Sequence, residues 1–166
     1  MVIWLIGISG AGKTTLGNKI HKYLTGVKLN SFMIDGDIVR EFYDNDLGYS
    51  KDERISNIKR IMLAAYVLEK NNIIPIVCNI SPFENLRDFA RDRFDSYHEI
   101  FLQKNVSIAK EKDVKGVYKD NHKRTPLIGI DMKFEEPTKS NLIINVDSES
   151  EEKSFEKIMN YINQIL

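Results

Sequence analysis

The sequence predicts an α/β fold of the three-layer P-loop NTPase type, in which helices cover a mainly parallel central sheet and a lid is attached. Apolar runs typical of buried strands alternate along the chain with segments of helical periodicity, and this alternation favours a parallel sheet. The first apolar run, residues 2–6, leads into a glycine-rich turn and a helical pattern. The chain has 166 residues, which suits one domain over residues 1–166 with a substantial core.

Residues 7–14 form the most informative motif. Their sequence, Gly-Ile-Ser-Gly-Ala-Gly-Lys-Thr, fits the phosphate-binding pattern G-x-x-x-x-G-K-[ST]. Glycines let backbone N–H groups surround an anion, and the amino end of the next helix adds N–H groups and a positive dipole. We expect Lys13 to reach the β- and γ-phosphates of ATP and the Thr14 hydroxyl to ligate Mg²⁺. The residues expected to contact ATP are Gly10, Ala11, Gly12, Lys13, Thr14 and Thr15.

Hydrophobic spacing predicts the elements that follow this motif. The first helix is expected over residues 15–24, with Gly26 as the glycine that ends it. A second strand is expected over residues 32–34. It runs into the acidic pair Asp35 and Asp37. Ligands of α/β folds usually bind at such strand ends, so the pair is a candidate for the active site.

The middle of the chain predicts a long helix and a central strand. Ser50 and Glu53 have the spacing of a capping box, which indicates the start of a helix over residues 51–70. Residues 73–80 are the most apolar run and predict a parallel strand buried on both faces, with Pro75 at its start. The other periodic segments predict helices over 38–43, 84–94, 107–112 and 151–166, and strands over 97–102 and 142–146.

Residues 113–134 are rich in charged and turn-forming residues and have little periodicity, so they are predicted to form a mobile lid or a substrate loop. A lid is useful to a kinase because it keeps water from taking the phosphoryl group. The chain lacks the Asn-Lys-x-Asp motif expected of a GTP-binding protein. A small domain with a charged lid therefore favours a kinase that acts on a small molecule.

Composition limits the kinds of molecule that the protein is expected to bind and the place where it is expected to act. Lys+Arg and Asp+Glu both number 24, so the chain lacks the basic surplus of a protein that binds a nucleic acid polymer. Cys78 is the only cysteine, which excludes an internal disulfide, and its apolar surroundings predict a buried thiol. No apolar run is long enough to cross a membrane, and the amino terminus has no leader pattern. A cytoplasmic protein without membrane contact is expected.

Further motifs occur in the order of one family and cover nearly the whole chain. Together with the P-loop they resemble adenylyl-sulfate (APS) kinase. The motifs are Asp35-Gly36-Asp37-Ile38-Val39-Arg40, Asp46-Leu47-Gly48-Tyr49, Asp52 through Arg60, Ile80-Ser81-Pro82-Phe83, Lys115-Gly116-Val117-Tyr118-Lys119, and Gly129-Ile130-Asp131 with Phe134-Glu135-Glu136-Pro137. The resemblance implies transfer of the γ-phosphoryl group from ATP·Mg²⁺ to the ribose 3′-hydroxyl of a small nucleotide. It also suggests a homodimer, because family members are often dimeric.

The resemblance and the residue chemistry together suggest roles. Phosphoryl transfer needs alignment and charge neutralisation, for which Lys13 and Thr14 serve the donor. Asp37 is the candidate that orients and deprotonates the hydroxyl, and Asp35 the candidate that holds a Mg²⁺-bound water. Ser81 matches a serine associated with phosphorylation in the family, but we favour a hydrogen bond beside the substrate. The residues expected to bind the acceptor are Asp37, Arg40, Tyr49, Arg54, Asn57, Ile80, Ser81, Lys115 and Leu127.

Departures from the family pattern cluster at the acceptor. Ile38 stands where the family commonly has Asn, Tyr49 replaces a stacking Phe, and Leu127 replaces a second stacking aromatic. Loss of one stacking face typically costs about 1–3 kcal/mol of base binding. The acceptor is therefore open between adenylyl sulfate, of sulfate assimilation, and a cytidine-type nucleotide such as cytidine diphosphoramidate, of capsule-precursor metabolism. A catalytically silent nucleotide-binding regulator and a kinase of a non-nucleotide alcohol are the other readings.

Overall fold

The computed structural model describes residues 1–113, 116 and 125–166 of the chain. Within these residues five parallel strands form one sheet, in the spatial order β2-β3-β1-β4-β5. The strands are β1 (Val2–Ile6), β2 (Ser31–Asp35), β3 (Ile74–Cys78), β4 (Tyr97–Gln103) and β5 (Leu142–Asn145). Since β1 is central and wholly buried, the predicted P-loop fold with a parallel sheet is confirmed.

Helices cover both faces of the sheet. In chain order they are α1 (Lys13–Gly26), α2 (Gly36–Phe42), α3 (Lys51–Lys70), α4 (Glu84–Arg93), α5 (Val106–Lys112) and α6 (Glu151–Ile165). Side chains of β1 alternate between two cores. Ile3 and Leu5 pack on the side of α1 and α6, whereas Trp4 and Ile6 pack on the side of α3 and α4. The period of two along a strand thus builds the three layers.

The predicted capping box of α3 is confirmed. The Ser50 hydroxyl accepts a hydrogen bond from the Glu53 backbone, and the Glu53 carboxylate accepts one from the Ser50 backbone at 3.0 Å. This reciprocal pair satisfies two amide groups at the helix start. It fixes the beginning of the helix that carries Arg54 and Asn57.

The first helix ends at Gly26, as predicted, but the expected role of Gly26 as the left-handed glycine just after the helix is wrong. Gly26 is the last residue of α1, and Lys28 takes the left-handed conformation with φ 64°. The Leu29 amide donates to Leu24 O at 2.9 Å and the Lys28 amide to Thr25 O at 3.0 Å, which is the pattern of a Schellman motif. A lysine therefore occupies the position that usually favours glycine.

Part of the predicted lid is described. Of its residues, 113, 116 and 125–134 lie within the structure, whereas Lys115, Tyr118, Lys119 and His122 lie outside the described residues. Residues 127–132 form a tight turn, in which the Gly129 amide donates to Met132 O at 2.7 Å. Ile128 is buried against Ile8 of the P-loop and Ala109 of α5. This turn is thus packed onto the nucleotide-binding side of the sheet.

None of the helices in the described ranges combines the length and the apolar character needed to span a bilayer.

Candidate active site

The phosphate-binding loop connects β1 to α1. Gly7, Gly10 and Gly12 have φ values of 143°, 79° and 88°, which side-chain-bearing residues rarely adopt. At Gly7 a Cβ atom would also lie 2.5 Å from Leu102 O on β4. Within the described residues no side chain caps the start of α1. Amide groups at the start of a helix point along its axis toward the preceding loop, as an anion site requires.

Lys13 begins α1 and folds back across the loop. Its Nζ donates hydrogen bonds of 2.8 Å to the carbonyls of Gly7 and Ile8. These carbonyls hold the ammonium group at the mouth of the P-loop. A triphosphate bound by the loop would bring its charged oxygens to this group.

Thr14, Asp35 and Asp37 are brought together by the ends of neighbouring elements. Thr14 Oγ1 donates to Asp35 Oδ2 at 2.7 Å, and the Asp37 amide donates to Asp35 Oδ1 at 2.9 Å. Asp35 is therefore buried as the cap of α2 and orients the Thr14 hydroxyl. The structure thus brings Asp35 to Thr14, while the roles assigned to both aspartates stay predictions.

Two buried arginines surround the aromatic ring of Tyr49. The guanidinium carbon of Arg40 lies 4.4 Å from the ring centroid and that of Arg54 lies 5.1 Å from it. Arg40 donates to the carbonyls of Leu47 and Gly48, at 3.0 and 2.8 Å. Arg54 Nε donates to Tyr49 O at 2.9 Å. Residues from α2, from the loop at 47–49 and from α3 therefore meet at one ring.

These arginines have no close carboxylate partner among the described residues, although the Glu53 carboxylate attracts Arg40 at longer range. Arg40 is 6% exposed and Arg54 is 9% exposed, yet across the described ranges neither forms a salt bridge. Burial, followed by the repulsion from Arg40, lowers the pKa of Arg54. Buried charge is costly unless it is paired. The arrangement therefore favours an anion beside the Tyr49 ring.

Asn57 lies on the buried face of α3, three residues after Arg54. Its side chain is 2% exposed and its Nδ2 donates weakly to Gly36 O at 3.4 Å. Its Oδ1 is buried without a hydrogen-bond partner among the described residues. The amide therefore supports the turn between Asp35 and Asp37 and retains an unused acceptor.

Ser81 is held inside the protein, and its backbone has φ 48°. It is 2% exposed. Its hydroxyl accepts from Trp4 Nε1 at 2.9 Å and donates to Asn79 Oδ1 at 3.0 Å. Both hydrogen-bonding functions of the hydroxyl are thus engaged by protein groups. This geometry disfavours phosphorylation of Ser81, and its contact with a substrate stays a prediction.

The described part of the lid at residues 125–134 approaches the acceptor side. Arg54 Nη2 donates to the carbonyl of Pro126, so Leu127 is placed next to the arginine that lies over Tyr49. Leu127 is half-buried. Ile80 packs on the other side of the segment with Ile8 and Ile128. Leu127 and Ile80 therefore lie near the predicted site, whereas Lys115 lies outside the described residues.

Several residues of this region were not anticipated from the sequence. They include Trp4 and Asn79, which hold Ser81, and Arg87, which donates to Ser81 O at 2.8 Å. The position of Arg87 did carry a signal. It shares a helix face with the buried residues Phe83 and Ala90. A charge on the apolar face of a helix indicates a buried partner.

The sequence is similar to those of known proteins. Residues 1–145 match the family model described as adenylylsulphate kinase. The adenylyl-sulfate kinase of Rippkaea orientalis is 35% identical over 167 residues, which cover 99% of this chain and 92% of that protein. The adenylyl-sulfate kinase of Pseudomonas aeruginosa is 35% identical over 165 residues, with 97% and 84% coverage.

A solved structure supports the fold. The APS kinase of Mycobacterium tuberculosis, in complex with AMPPNP and APS, superposes with a TM-score of 0.89. The two chains are 24% identical, and the match covers 98% of this chain and 96% of that one.

Proposed function

The chain belongs to the adenylyl-sulfate kinase family and is a phosphotransferase with an alcohol group as acceptor, and we propose that it phosphorylates the 3′-hydroxyl of adenylyl sulfate with ATP. The observation that carries this proposal is the pair of buried arginines around Tyr49. An adenylate with a sulfate group is planar at one end and anionic at the other. A ring flanked by the buried guanidinium groups of Arg40 and Arg54, neither of which forms a salt bridge within the described residues, suits both ends.

The half of the site that binds the phosphate donor, here called the donor half, is proposed to bind ATP. The P-loop amides and Lys13 hold the β- and γ-phosphates, with Gly10, Ala11, Gly12, Thr14 and Thr15 completing the contacts. The Thr14 hydroxyl and the Asp35 carboxylate are hard oxygen groups 2.7 Å apart, which suits Mg²⁺ because this ion prefers such ligands. Thr14 would bind it directly and Asp35 through a water. The ion would neutralise charge on the phosphates.

The half of the site that binds the acceptor nucleotide, here called the acceptor half, is proposed to present its 3′-hydroxyl for phosphoryl transfer. Asp37 follows the residue that caps α2 and lies beside the Thr14–Asp35 pair. In the step we propose, the 3′-oxygen of the acceptor bonds to the γ-phosphorus while the bond from that phosphorus to the β-phosphate oxygen breaks. ADP leaves, and the hydroxyl proton passes to the Asp37 carboxylate. Lid residues 113–134, with Lys115, would close over the phosphates.

A second acceptor is favoured by one observation. Leu127, next to the Pro126 carbonyl that Arg54 holds, offers no aromatic face to a base. A cytidine-type nucleotide such as cytidine diphosphoramidate has a smaller ring and depends less on a second stacking surface. The anionic groups of both acceptors suit Arg40 and Arg54 equally.

A direct assay tests both candidates. The purified protein is incubated with ATP, Mg²⁺ and either acceptor, and the product is examined for a new 3′-phosphate by NMR and mass spectrometry. We expect adenylyl sulfate to be phosphorylated. Turnover of the cytidine nucleotide alone would correct the acceptor, and turnover of neither would overturn the proposed function. A calorimetric titration with each nucleotide then separates a silent binding module from a kinase of a non-nucleotide alcohol.

A further inference from the structure

Arg87 is a buried cation that joins two parts of the acceptor side. It lies on α4 and its side chain is 1% exposed. Nη1 donates to Ser81 O at 2.8 Å and Nη2 donates to Glu135 O at 2.7 Å. Both acceptors are backbone carbonyls, one at the turn after β3 and one at the end of the predicted lid. The rigid guanidinium fork sets the distance between them.

The two segments are joined by further hydrogen bonds. The Glu135 amide donates to Pro82 O at 2.9 Å, and the Glu84 amide donates to the Glu135 carboxylate. Glu135 is therefore attached to the turn at residues 81–84 through its amide, carbonyl and side chain. Residues 125–135 are continuous, so this attachment holds one end of the segment whose other end, at Pro126, accepts from Arg54.

Ser81 needs such support. A non-glycine residue at φ 48° is strained by about 1–3 kcal/mol and persists only where its surroundings hold it. Trp4 and Asn79 hold the side chain of Ser81. Arg87 holds the carbonyl of the same residue, so it completes the support from the backbone side.

We propose that Arg87 is a positioning residue for the acceptor half of the site. By donating to the carbonyls of Ser81 and Glu135, it fixes the 81–84 turn and the Pro126–Leu127 segment relative to each other, and through them the acceptor pocket. This inference rests on the proposed function for the part that concerns the acceptor. It assigns to Arg87 no contact with substrate.

A role in ion pairing alone does not account for Arg87. Its Nε lies 3.9 Å from Glu99 Oε2 and, among the described residues, has no hydrogen-bond partner. Glu99 is paired more closely with Arg91, whose Nη2 lies 2.8 Å from the same oxygen. The hydrogen bonds of Arg87 thus go to the two carbonyls, and Arg91 serves the buried carboxylate.

Three variants separate positioning from charge. Arg87→Gln removes the fork, and Arg87→Lys keeps the charge but not the two parallel donors. Arg91→Gln is the matched control, since it lies one turn further along α4 and pairs with Asp88 and Glu99 but not with either carbonyl. Steady-state kinetics give KM for adenylyl sulfate and for ATP separately. Hydrogen–deuterium exchange of residues 81–84 and 125–136 measures the attachment without turnover.

We expect Arg87→Gln to raise KM for the acceptor about tenfold or more while KM for ATP stays within about twofold. Arg87→Lys should raise it by a smaller factor, and Arg91→Gln should leave it unchanged. Exchange in both segments should quicken in the Arg87 variants alone. If Arg87→Gln does not fold, Glu135→Ala weakens the junction of the same two segments by removing the side-chain acceptor of the Glu84 amide, and Glu135→Gln, which keeps an acceptor oxygen, should restore it.

Several results would overturn the inference. An Arg87→Lys enzyme with wild-type kinetics would show that charge suffices. Equal rises in both KM values, or unchanged exchange in both segments, would reduce Arg87 to a stabilising residue. If the wild-type protein phosphorylates neither nucleotide, the proposed function fails, and the exchange result alone decides whether Arg87 holds the two segments.

Discussion

The donor and acceptor halves of the site are built in different ways. The donor half is one continuous stretch, residues 7–15, in which backbone amides and glycines set the geometry. The acceptor half collects Arg40, Tyr49, Arg54 and Leu127 from separate segments, and buried side chains fix its shape. A local motif tolerates change elsewhere in the fold, whereas an assembled pocket depends on every segment that reaches it. Substitutions should therefore affect the two halves differently.

The largest effect is expected at Lys13. Lys13→Ala removes the ammonium group that Gly7 and Ile8 hold at the mouth of the loop. Charge stabilisation in phosphoryl transfer is lost, so kcat should fall about a thousandfold or more, with the fold retained. Coupled ATP turnover and circular dichroism measure the two quantities. Lys22→Ala, on the same helix, is the control, and wild-type turnover by Lys13→Ala would refute the donor site.

The next largest loss of activity is expected from a substitution of Thr14. Thr14→Val keeps the shape but removes the hydroxyl that lies 2.7 Å from Asp35. If Thr14 ligates Mg²⁺, kcat should fall about a hundredfold and the Mg²⁺ concentration for half-maximal rate should rise. Thr25→Val near the end of α1 controls for helix propensity. An unchanged Mg²⁺ requirement would place the metal elsewhere.

Arg54 tests the acceptor half. Arg54→Lys retains a positive charge but cannot donate to both Tyr49 O and Pro126 O in the same geometry. KM for the acceptor should rise about tenfold to a hundredfold, which corresponds to about 1.5–3 kcal/mol for hydrogen bonds of a charged group. KM for ATP should change by less than about twofold.

The control for this prediction lies on the same helix. Arg60 forms a bidentate pair with Asp46, with both distances 2.7 Å, at the surface. Arg60→Lys should therefore leave acceptor KM near the wild-type value. Equal rises in the two variants would mean that general positive potential, not the Tyr49 cluster, attracts the acceptor.

The same contrast explains what the sequence could predict. Strand–turn–helix order and apolar periodicity placed all eleven elements in the described ranges to within two residues or so, because these signals are local. The P-loop was predictable for the same reason. The left-handed conformation of Lys28 could not be predicted from residue type. It belongs to the two hydrogen bonds that the Lys28 and Leu29 amides donate at the end of α1.

Buried contacts between residues that are far apart in sequence could not be predicted. The motif around Ser81 indicated a position beside the site, but its hydroxyl is engaged by Trp4, which lies 77 residues away in sequence. Arg87 and Glu135 meet across 48 residues. Such pairs depend on which helix faces which strand, and single-sequence periodicity does not contain that information. The family resemblance supplied the residue types of the acceptor half but not their contacts.

A smaller effect is expected at Leu127. Leu127→Phe supplies an aromatic face beside the Pro126–Arg54 contact. If the acceptor is adenylyl sulfate, its KM should fall about fivefold, a part of the 1–3 kcal/mol typical of base stacking. Leu127→Met is the control for side-chain size. A fall in KM for the cytidine nucleotide alone would favour that acceptor instead.

Cys78 should show the smallest effect on activity, and it reports on the donor half alone. Its Sγ donates to Lys13 O at 3.2 Å beneath the P-loop, and burial, with the nearby Asp35 charge, raises the pKa of the thiol to about 12. At pH 8 only about one thiol in ten thousand would be ionised. Native protein should therefore react with iodoacetamide far more slowly than protein unfolded in urea.

The rate at which Cys78 is labelled should rise with pH. A thiol whose pKa is raised by the fold stays protonated through neutral pH, so native labelling should quicken about tenfold per pH unit from 7 to 9. ATP bound at the P-loop should slow labelling further, whereas the acceptor alone should not. Cys78→Ala should leave turnover within about twofold. Fast labelling at pH 7 would show that the structure beneath the P-loop opens readily and that the thiol is not protected by burial.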